Sequence, residues 1–361
     1  MSIFTHSQLK ERTFFQKIFG IYPEENLEIE LNNLFAEKEA NLLEIQPVDY
    51  FNLIGKYKIN FKQKFESQRN KILSSIIEDR LKKNELTDND MLIFKHVGNI
   101  LEYNDNEIQI KIDDLKNAFF KEQIRKRIAT GYLSTEKKQE LETIKTKLKI
   151  KDENAKLLFD NEATIVLQDF LKKCIVDGRL SPDEEKELHD MAKSLNAEIS
   201  FDPDTQKILD KYRLFWRIDN GELPEVESNI HLQTSEKLYF KTNIDWLEER
   251  TTTQRVNYGG VSARVRIMKG VYYKIGSVAP EKVTTTEYKK IDNGTLYMTN
   301  KRFVFVGNHG NKNISYSKIL SFTPYADGVH IDKDSGKSPF FQFSEDCDLF
   351  CVLFAKLLSE N

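Results

Sequence analysis

The side chains of this protein that could do chemistry are mainly basic, and they lie on segments with β-strand patterns. An arginine guanidinium binds phosphate or carboxylate through a planar fork, whereas a lysine ammonium acts as a point charge. If the loops that carry them share one end of a barrel, such residues could bracket a single anionic group. The candidate residues for binding an anionic ligand or partner are Arg264, Arg266, Lys269, Lys274, Lys301, Arg302, Lys312 and Lys318.

The positive charge is concentrated in one part of the chain. From Arg250 to Lys318 there are 13 Lys or Arg residues against three acids, although the net charge of all 361 residues is −3. A basic segment inside a mildly acidic protein favours an anionic partner surface. The alternative is that these residues solvate a sheet face and keep strand edges from aggregating.

The elements that carry this charge are predicted to be short antiparallel strands. Alternating patterns indicate strands at residues 237–249, 261–268, 271–278, 294–300, 302–307, 319–325, 328–333 and 339–343, with a polar loop before residue 318. Asn300 suits the positive φ of a two-residue hairpin loop, which places Lys301 and Arg302 at the tip. A terminal amphipathic helix follows, so we expect an antiparallel β-barrel closed by one α-helix.

The order "GTLYMTNKRFVFVG", "KILSFTPYADGVHI" and "PFFQF" resembles the GRAM and bacterial PH-like families. The resemblance spans about 120 of the residues. It implies a module that binds acidic lipid headgroups or protein partners and that is seldom catalytic.

The first part of the chain is predicted to be helical and repetitive. Leu86, Leu133 and Leu180 are spaced 47 residues apart, and each is followed by Thr or Ser and then by apolar residues at helical spacing. Ser181 and Glu184 form a capping box in the third copy, and the box decays in the first two. A helix precedes each of these leucines, at about residues 62–82, 113–129 and 161–176. The unit is therefore a helical hairpin, and neighbouring units must stack to bury their apolar faces.

The third copy, "DGRLSPDEEKELHDMAKSLN", resembles the TerB-like family of helical domains named for tellurite resistance. The resemblance implies a stress response, and in some members a cluster of acids binds metal. No such cluster is evident in this sequence, and an EF-hand calcium loop would need more acids than Asp177 before Gly178. No metal and no cofactor is therefore predicted.

The search for catalytic motifs gives no candidate. The sequence has neither a phosphate-binding GxxxxGK loop nor a GxSxG nucleophile motif, and its histidines are isolated. We therefore expect a protein that is not an enzyme. An unrecognised hydrolase remains open, as does a nucleic-acid-associated adaptor in which Tyr272, Tyr273, Tyr297 and Tyr316 stack bases.

These observations predict an α+β multidomain protein: an N-terminal helical segment (1–60), all-α helical-hairpin repeats (61–218), a linker (219–230) and a PH/GRAM-like domain (231–361). Three cysteines, no signal peptide and no long apolar run favour the cytoplasm, with the inner face of the membrane as a peripheral site. The expected function is that of an adaptor in a bacterial stress or defence response. Its β domain would dock on anionic lipid headgroups or an acidic protein, and its helical repeats would bind other proteins.

Overall fold

The computed structural model describes residues 2–57, 66–250, 263–268, 271–275 and 287–360. The chain divides into two compact units. One comprises Met1–Gln168 and Asp190–Glu198, and the other comprises Asp169–His189 and Ile199–Asn361. The predicted α+β class is confirmed, with a helical N-terminal region and an antiparallel sheet followed by a C-terminal helix.

The helices of the N-terminal region follow the predicted hairpin pattern. The helices that precede Leu133 and Leu180 begin earlier than expected, at Asp105 and Asp152. The helices are α1 (Phe14–Ile18), α2 (Glu24–Glu37), α3 (Pro47–Tyr57), α4 (Glu66–Leu81), α5 (Asp88–Ile100), α6 (Asp105–Ile128), α7 (Thr135–Lys147), α8 (Asp152–Cys174), α9 (Pro182–Ser194) and α10 (Pro203–Asp219). Short 3-10 helices occupy Glu39–Glu44 and Ile175–Asp177.

The repeated leucines mark where one hairpin meets the next. The N–H of Leu86 donates to the carbonyl of Lys147 at 3.5 Å, and the N–H of Leu133 donates to Ser194 Oγ at 3.0 Å. Both acceptors lie 14 residues after the leucine of the following copy. The same position of successive copies therefore makes the same junction, which is the behaviour expected of stacked repeats.

The helix N-termini correct one detail of the sequence analysis. Ser181 and Glu184 form the predicted capping box. Thr87 and Asp90 also form a complete box, with the N–H of Asp90 3.1 Å from the Thr87 hydroxyl and the N–H of Thr87 2.9 Å from the Asp90 carboxylate. The prediction that the box decays in the first copy was wrong, because a third-position aspartate can reach back as glutamate does.

The C-terminal unit contains a curled seven-stranded antiparallel sheet with the order β6-β5-β4-β1-β9-β8-β7 and a separate two-stranded hairpin, β2-β3. Its elements are β1 (Leu238–Arg250), β2 (Ala263–Met268), β3 (Val271–Ile275), β4 (Glu287–Thr299), β5 (Arg302–Gly307), β6 (Asn311–Ser315), β7 (Ile319–Tyr325), β8 (Gly328–Lys333), β9 (Pro339–Phe343) and α11 (Cys347–Glu360). A 3-10 turn at Tyr316–Lys318 joins β6 to β7.

The predicted strands are found in the sheet and the hairpin, with two differences. β4 begins at Glu287, seven residues before the predicted start, and pairs with β1 along its length. Residues 311–315 were predicted as polar loop but form β6, since Ile314 packs into the core while the backbone pairs with β5.

The core of this unit lies between the inner face of the sheet, α11 and the end of α10. Phe350 and Phe354 of α11 are fully buried, and Phe303 of β5 packs against both rings. Phe215 and Ile218 of α10 belong to the same core. The inside of the half-barrel is thus filled mainly by aromatic and aliphatic side chains.

A candidate anion-docking end of the half-barrel

The bend between β4 and β5 uses its arginine for structure. The Arg302 guanidinium donates to both carboxylate oxygens of Glu236, through Nε at 2.8 Å and Nη2 at 3.0 Å. The Glu236 side chain has no solvent exposure and that of Arg302 has 19%. A buried carboxylate needs such a partner, so the charge of Arg302 is cancelled within the fold.

Further donors complete the surroundings of Glu236. The N–H of Gln233 donates at 2.7 Å, and the Thr299 hydroxyl lies 2.8 Å from Oε1. Burial on its own would raise the pKa of Glu236, but the hydrogen bonds from Arg302, Gln233 and Thr299 outweigh it and hold the pKa below its usual range. The carboxylate is therefore ionised and ties the segment before β1 to the β4–β5 bend.

Lys301 is held at the same bend by neutral groups. Its ammonium donates to the carbonyl of Thr234 at 2.8 Å and lies 3.4 Å from Ser235 Oγ. Asn300 does not adopt the predicted positive φ. Instead its side-chain oxygen accepts from the N–H of Lys237 at 3.0 Å, and its own N–H donates to the Lys237 carbonyl. The connection is the predicted two-residue loop, since β4 ends at Thr299 and β5 begins at Arg302, but Asn300 is held by Lys237 rather than by a positive φ.

The opposite end of β1 and β4 carries the long connection between these two strands, and we call it the insertion end. Arg250 pairs with Glu287, so residues 251–286 leave β1 and enter β4 at this end. Glu248 pairs with Pro339, which brings the end of the β8–β9 connection (334–338) there. The β5–β6 connection (308–310) lies further along β4, where the N–H of Asn308 donates to the carbonyl of Asn293.

Lys312 points into the half-barrel beside the β5–β6 connection. It stands two residues from the core residue Ile314 and pairs with Phe305, so it lies on the inner side of β6. Its ammonium lies 5.6 Å from the centroid of the Trp246 ring. The indole N–H of Trp246 is buried without an acceptor among the described residues. A cation and an N–H donor therefore lie together beneath this connection.

Asp292 fixes the β5–β6 connection beside them. Its carboxylate accepts from the N–H of His309 at 3.0 Å and lies 2.9 Å from the His309 ring Nδ1. Burial on its own would raise the pKa of Asp292, but the hydrogen bonds from His309 outweigh it and lower the pKa to about 2. A Cβ at Gly307 would come within 2.1 Å of the Asp292 carboxylate, so a glycine is needed for this contact.

Other cations at the insertion end are matched by acids of β1. Lys290 lies 2.7 Å from Asp245, and Lys337 lies 3.3 Å from Glu248. These exposed pairs are worth little energetically. They nevertheless reduce the net positive charge that an approaching anion meets.

The predicted binding residues are therefore not gathered in one place. Lys301 and Arg302 lie at the β4–β5 bend, and Lys312 lies beside the β5–β6 connection. The 3-10 turn that carries Lys318 begins at the bend, because the N–H of Tyr316 donates to the Lys301 carbonyl at 3.2 Å. Lys318 is exposed in the 3-10 turn, and its carbonyl accepts from the N–H of Asp334 in the β8–β9 connection at 3.0 Å. Arg264 pairs with Lys274 in the β2-β3 hairpin, whose backbone is described, and Arg266 pairs with Tyr272. Lys269 lies outside the described residues.

Sequence reasoning missed the residues that hold these charges. Glu236 is 66 positions from Arg302, and Asp292 is 17 positions from His309. Neither pair shows a spacing that a motif search could detect. The proposed base-stacking surface also loses members, because Tyr297 and Tyr316 are buried.

No model of a known protein family matches this chain, and comparison with curated proteins finds no match. Within the described ranges, no group of three or more His, Cys, Asp or Glu side chains is placed to hold a metal ion. No helix in that part of the chain is both long and apolar enough to cross a bilayer.

Proposed function

We propose that the C-terminal unit is a PH/GRAM-like recruitment module that docks on an anionic membrane surface, and that the protein acts as a non-enzymatic adaptor. The strand order supports the proposal, since β1, β4, β5 and β6 form one meander, β7, β8 and β9 form another, and α11 packs against the core. This is the plan expected from the resemblance of the sequence to those families. The helical repeats would bind protein partners.

The docking surface in this proposal is the insertion end. The observation that carries the proposal is the attachment of residues 251–286 at this end, because that segment holds six Lys or Arg residues against one acid. Lys312 adds a cation within the described sheet, beside the β5–β6 connection, and Lys318 lies between the β8–β9 connection and the β4–β5 bend. Each basic residue near an anionic bilayer contributes about 1 kcal/mol, so several together give reversible attachment.

Vesicle flotation tests the proposal with charge reversals at the two ends. The full-length protein is mixed with phosphatidylcholine vesicles, with or without phosphatidylserine, at low and high salt. We expect binding only to the anionic vesicles, weaker at high salt. Lys312→Glu and the double variant Arg264→Glu/Arg266→Glu should each reduce it.

Lys301→Glu is the matched control, because it makes the same charge change at the opposite end of β5. Equal binding to neutral and anionic vesicles would reject the proposal. So would a loss of binding in Lys301→Glu as large as that in Lys312→Glu. Filter binding with DNA and RNA identifies the alternative, since a nucleic-acid adaptor would be retained there and would not float.

A further inference from the structure

A loop near the N-terminus, residues 11–22, is fixed at its base and apolar at its tip. We call it the N-terminal finger. On one side of its base, the N–H of Lys10 donates to the Asn26 amide oxygen and the Asn26 amide donates to the Lys10 carbonyl, both at 2.8 Å. Asn33 holds the backbone of Ser7 in the same way, also at 2.8 Å.

The spacing of the two asparagines explains why the segment before the finger is extended. Asn26 and Asn33 are seven residues apart on α2, a rise of about 10 Å. Ser7 and Lys10 are three residues apart, which also spans about 10 Å in an extended chain. Both asparagine side chains are buried by this contact, so the finger begins from a fixed position.

The other side of the base is held by aromatic contacts. The Arg12 guanidinium lies over the Tyr22 ring, with Cζ 4.6 Å from the ring centroid, and the Lys56 ammonium lies 4.7 Å from the same centroid. The Tyr22 ring also lies 5.6 Å from the ring of Tyr57. The finger is therefore anchored where it leaves the fold and where it returns.

The helix at the tip of the finger, α1, has no buried residue. It begins with a capping box between Thr13 and Gln16, so its helical shape is defined locally. The large apolar residues of the tip are between 55% and 72% exposed: Phe14, Phe15, Ile18, Phe19 and Ile21. Contiguous apolar surface of this kind marks an interaction site in most proteins.

The arrangement of the tip fits a lipid interface. At about 100° per residue, Phe14, Ile18, Phe15 and Phe19 occupy an arc of about 140°, while Gln16 and Lys17 occupy the opposite side. Lys10 and Arg12 at the base of the finger and Lys17 in α1 give it three cations against one acid, Glu11. Interfacial membrane segments combine Phe or Leu on one face with Lys or Arg on the other.

We propose that the N-terminal finger inserts its apolar tip into the interface of an anionic bilayer. This contact lies in the other unit from the insertion end and depends on apolar burial, which salt does not weaken. Because a single weak signal gives only marginal attachment, stable binding takes two signals. The finger supplies the apolar signal and the basic insertion end supplies the electrostatic one, so the pairing of the two rests on the proposed function.

The test uses the full-length protein and the same phosphatidylcholine/phosphatidylserine vesicles. Phe15→Ser/Phe19→Ser should lower the partition coefficient about tenfold or more, because it removes two inserted rings. It should also abolish the binding that remains at high salt. Phe51→Ser is the matched control, since Phe51 is 58% exposed in the same unit but lies outside the finger.

The outcomes separate this proposal from the proposed function. Loss of the salt-resistant binding in the finger variant, with the salt-sensitive binding retained, supports the finger. Loss of only the salt-sensitive binding in Lys312→Glu supports the proposed function. Flotation of the finger variant like the unmodified protein, or an equal loss in Phe51→Ser, overturns the proposal. A difference in oligomeric state between the finger variant and the unmodified protein, measured without vesicles, also overturns it, because a second copy of the chain would then cover the tip. Phe15, Phe19 and Phe51 are exposed, so the unfolding midpoints of the finger variant and of Phe51→Ser should match that of the unmodified protein.

Discussion

Arg302→Met should destabilise the C-terminal unit by several kcal/mol, because it leaves the Glu236 carboxylate buried without its cation. The carboxylate has no solvent exposure, and two of its four short contacts come from Arg302. Removing one partner of a buried ion pair typically costs about 3–5 kcal/mol. Since domains of ordinary size unfold with about 5–15 kcal/mol, such a loss would bring this unit close to unfolding at room temperature.

A double-mutant cycle gives the magnitude of the coupling. Glu236→Met/Arg302→Met removes both charges, so it should cost less than the sum of the single variants. What remains is the cost of the Gln233 N–H, which loses its acceptor, about 1–3 kcal/mol for a buried group. The Thr299 hydroxyl keeps a second acceptor, the backbone carbonyl of residue 302 at 3.0 Å. The expected coupling energy is about 2–3 kcal/mol, at the upper end for residues in contact.

Urea unfolding followed by circular dichroism measures these free energies. The pH dependence gives an independent check. The folded-state pKa of Glu236 is lowered, so its contribution is fully present above the usual glutamate value of about 4.3 and is lost as the pH falls through the folded-state value. In Arg302→Met the unpaired carboxylate gains stability on protonation, so the difference between the two proteins should shrink on acidification.

A cost below about 1 kcal/mol for Arg302→Met would refute this reasoning, because that is the range of an exposed pair. It would also be refuted if the free-energy costs of the two single variants added up to the cost of the double variant. The prediction also affects binding experiments at this bend. Reversing the charge of Arg302 would lose binding through unfolding, whereas Lys301→Glu changes the charge without breaking an ion pair with a carboxylate.

Three further changes test the local structure. Thr87→Ala should cost about 1 kcal/mol by removing the cap of α5, measured by urea unfolding; no change would mean that the capping box is not formed. Gly307→Ala should destabilise the half-barrel, because its methyl group would displace the Asp292 carboxylate, and a midpoint equal to that of the unmodified protein would contradict the contact. Asp292→Asn should lower the unfolding midpoint at neutral pH. The difference in midpoint between Asp292→Asn and the unmodified protein should stay constant above about pH 4 and narrow as the pH falls towards 2, because the folded-state pKa of Asp292 is lowered to about 2. A midpoint difference independent of pH would show that the carboxylate charge does not matter.

Local patterns were sufficient to predict most of the elements. β5, β7, β8 and β9 have the predicted bounds, because alternating or continuous apolar runs and adjacent turn residues define them within a few positions. β6 was missed since its sequence, "NKNIS", has one core residue, and its pairing is imposed by β5. Strand formation of this kind depends on a neighbour rather than on the residues themselves.

The candidate site could be predicted only in part, because charge compensation is a long-range property. A count of Lys and Arg along the chain treats Lys290, Arg302 and Lys312 as equivalent. In the structure Asp245 pairs with Lys290, and the buried Glu236 pairs with Arg302. Both acids lie before the basic segment in sequence. Folding therefore cancels charges that the segment counts as positive.

This compensation decides which end of the half-barrel an anion would meet. At the β4–β5 bend the arginine is neutralised by a carboxylate that solvent does not reach, so salt and ligands cannot compete for it. At the insertion end, Lys290 and Lys337 are exposed and their carboxylate partners are partly exposed, so an anion could compete for these lysines at little cost. Lys312 faces an aromatic ring, which leaves its positive charge in place. A positive potential can therefore persist around Lys312, and the reversal of Lys312 should affect docking more than the reversal of Lys301 at the bend.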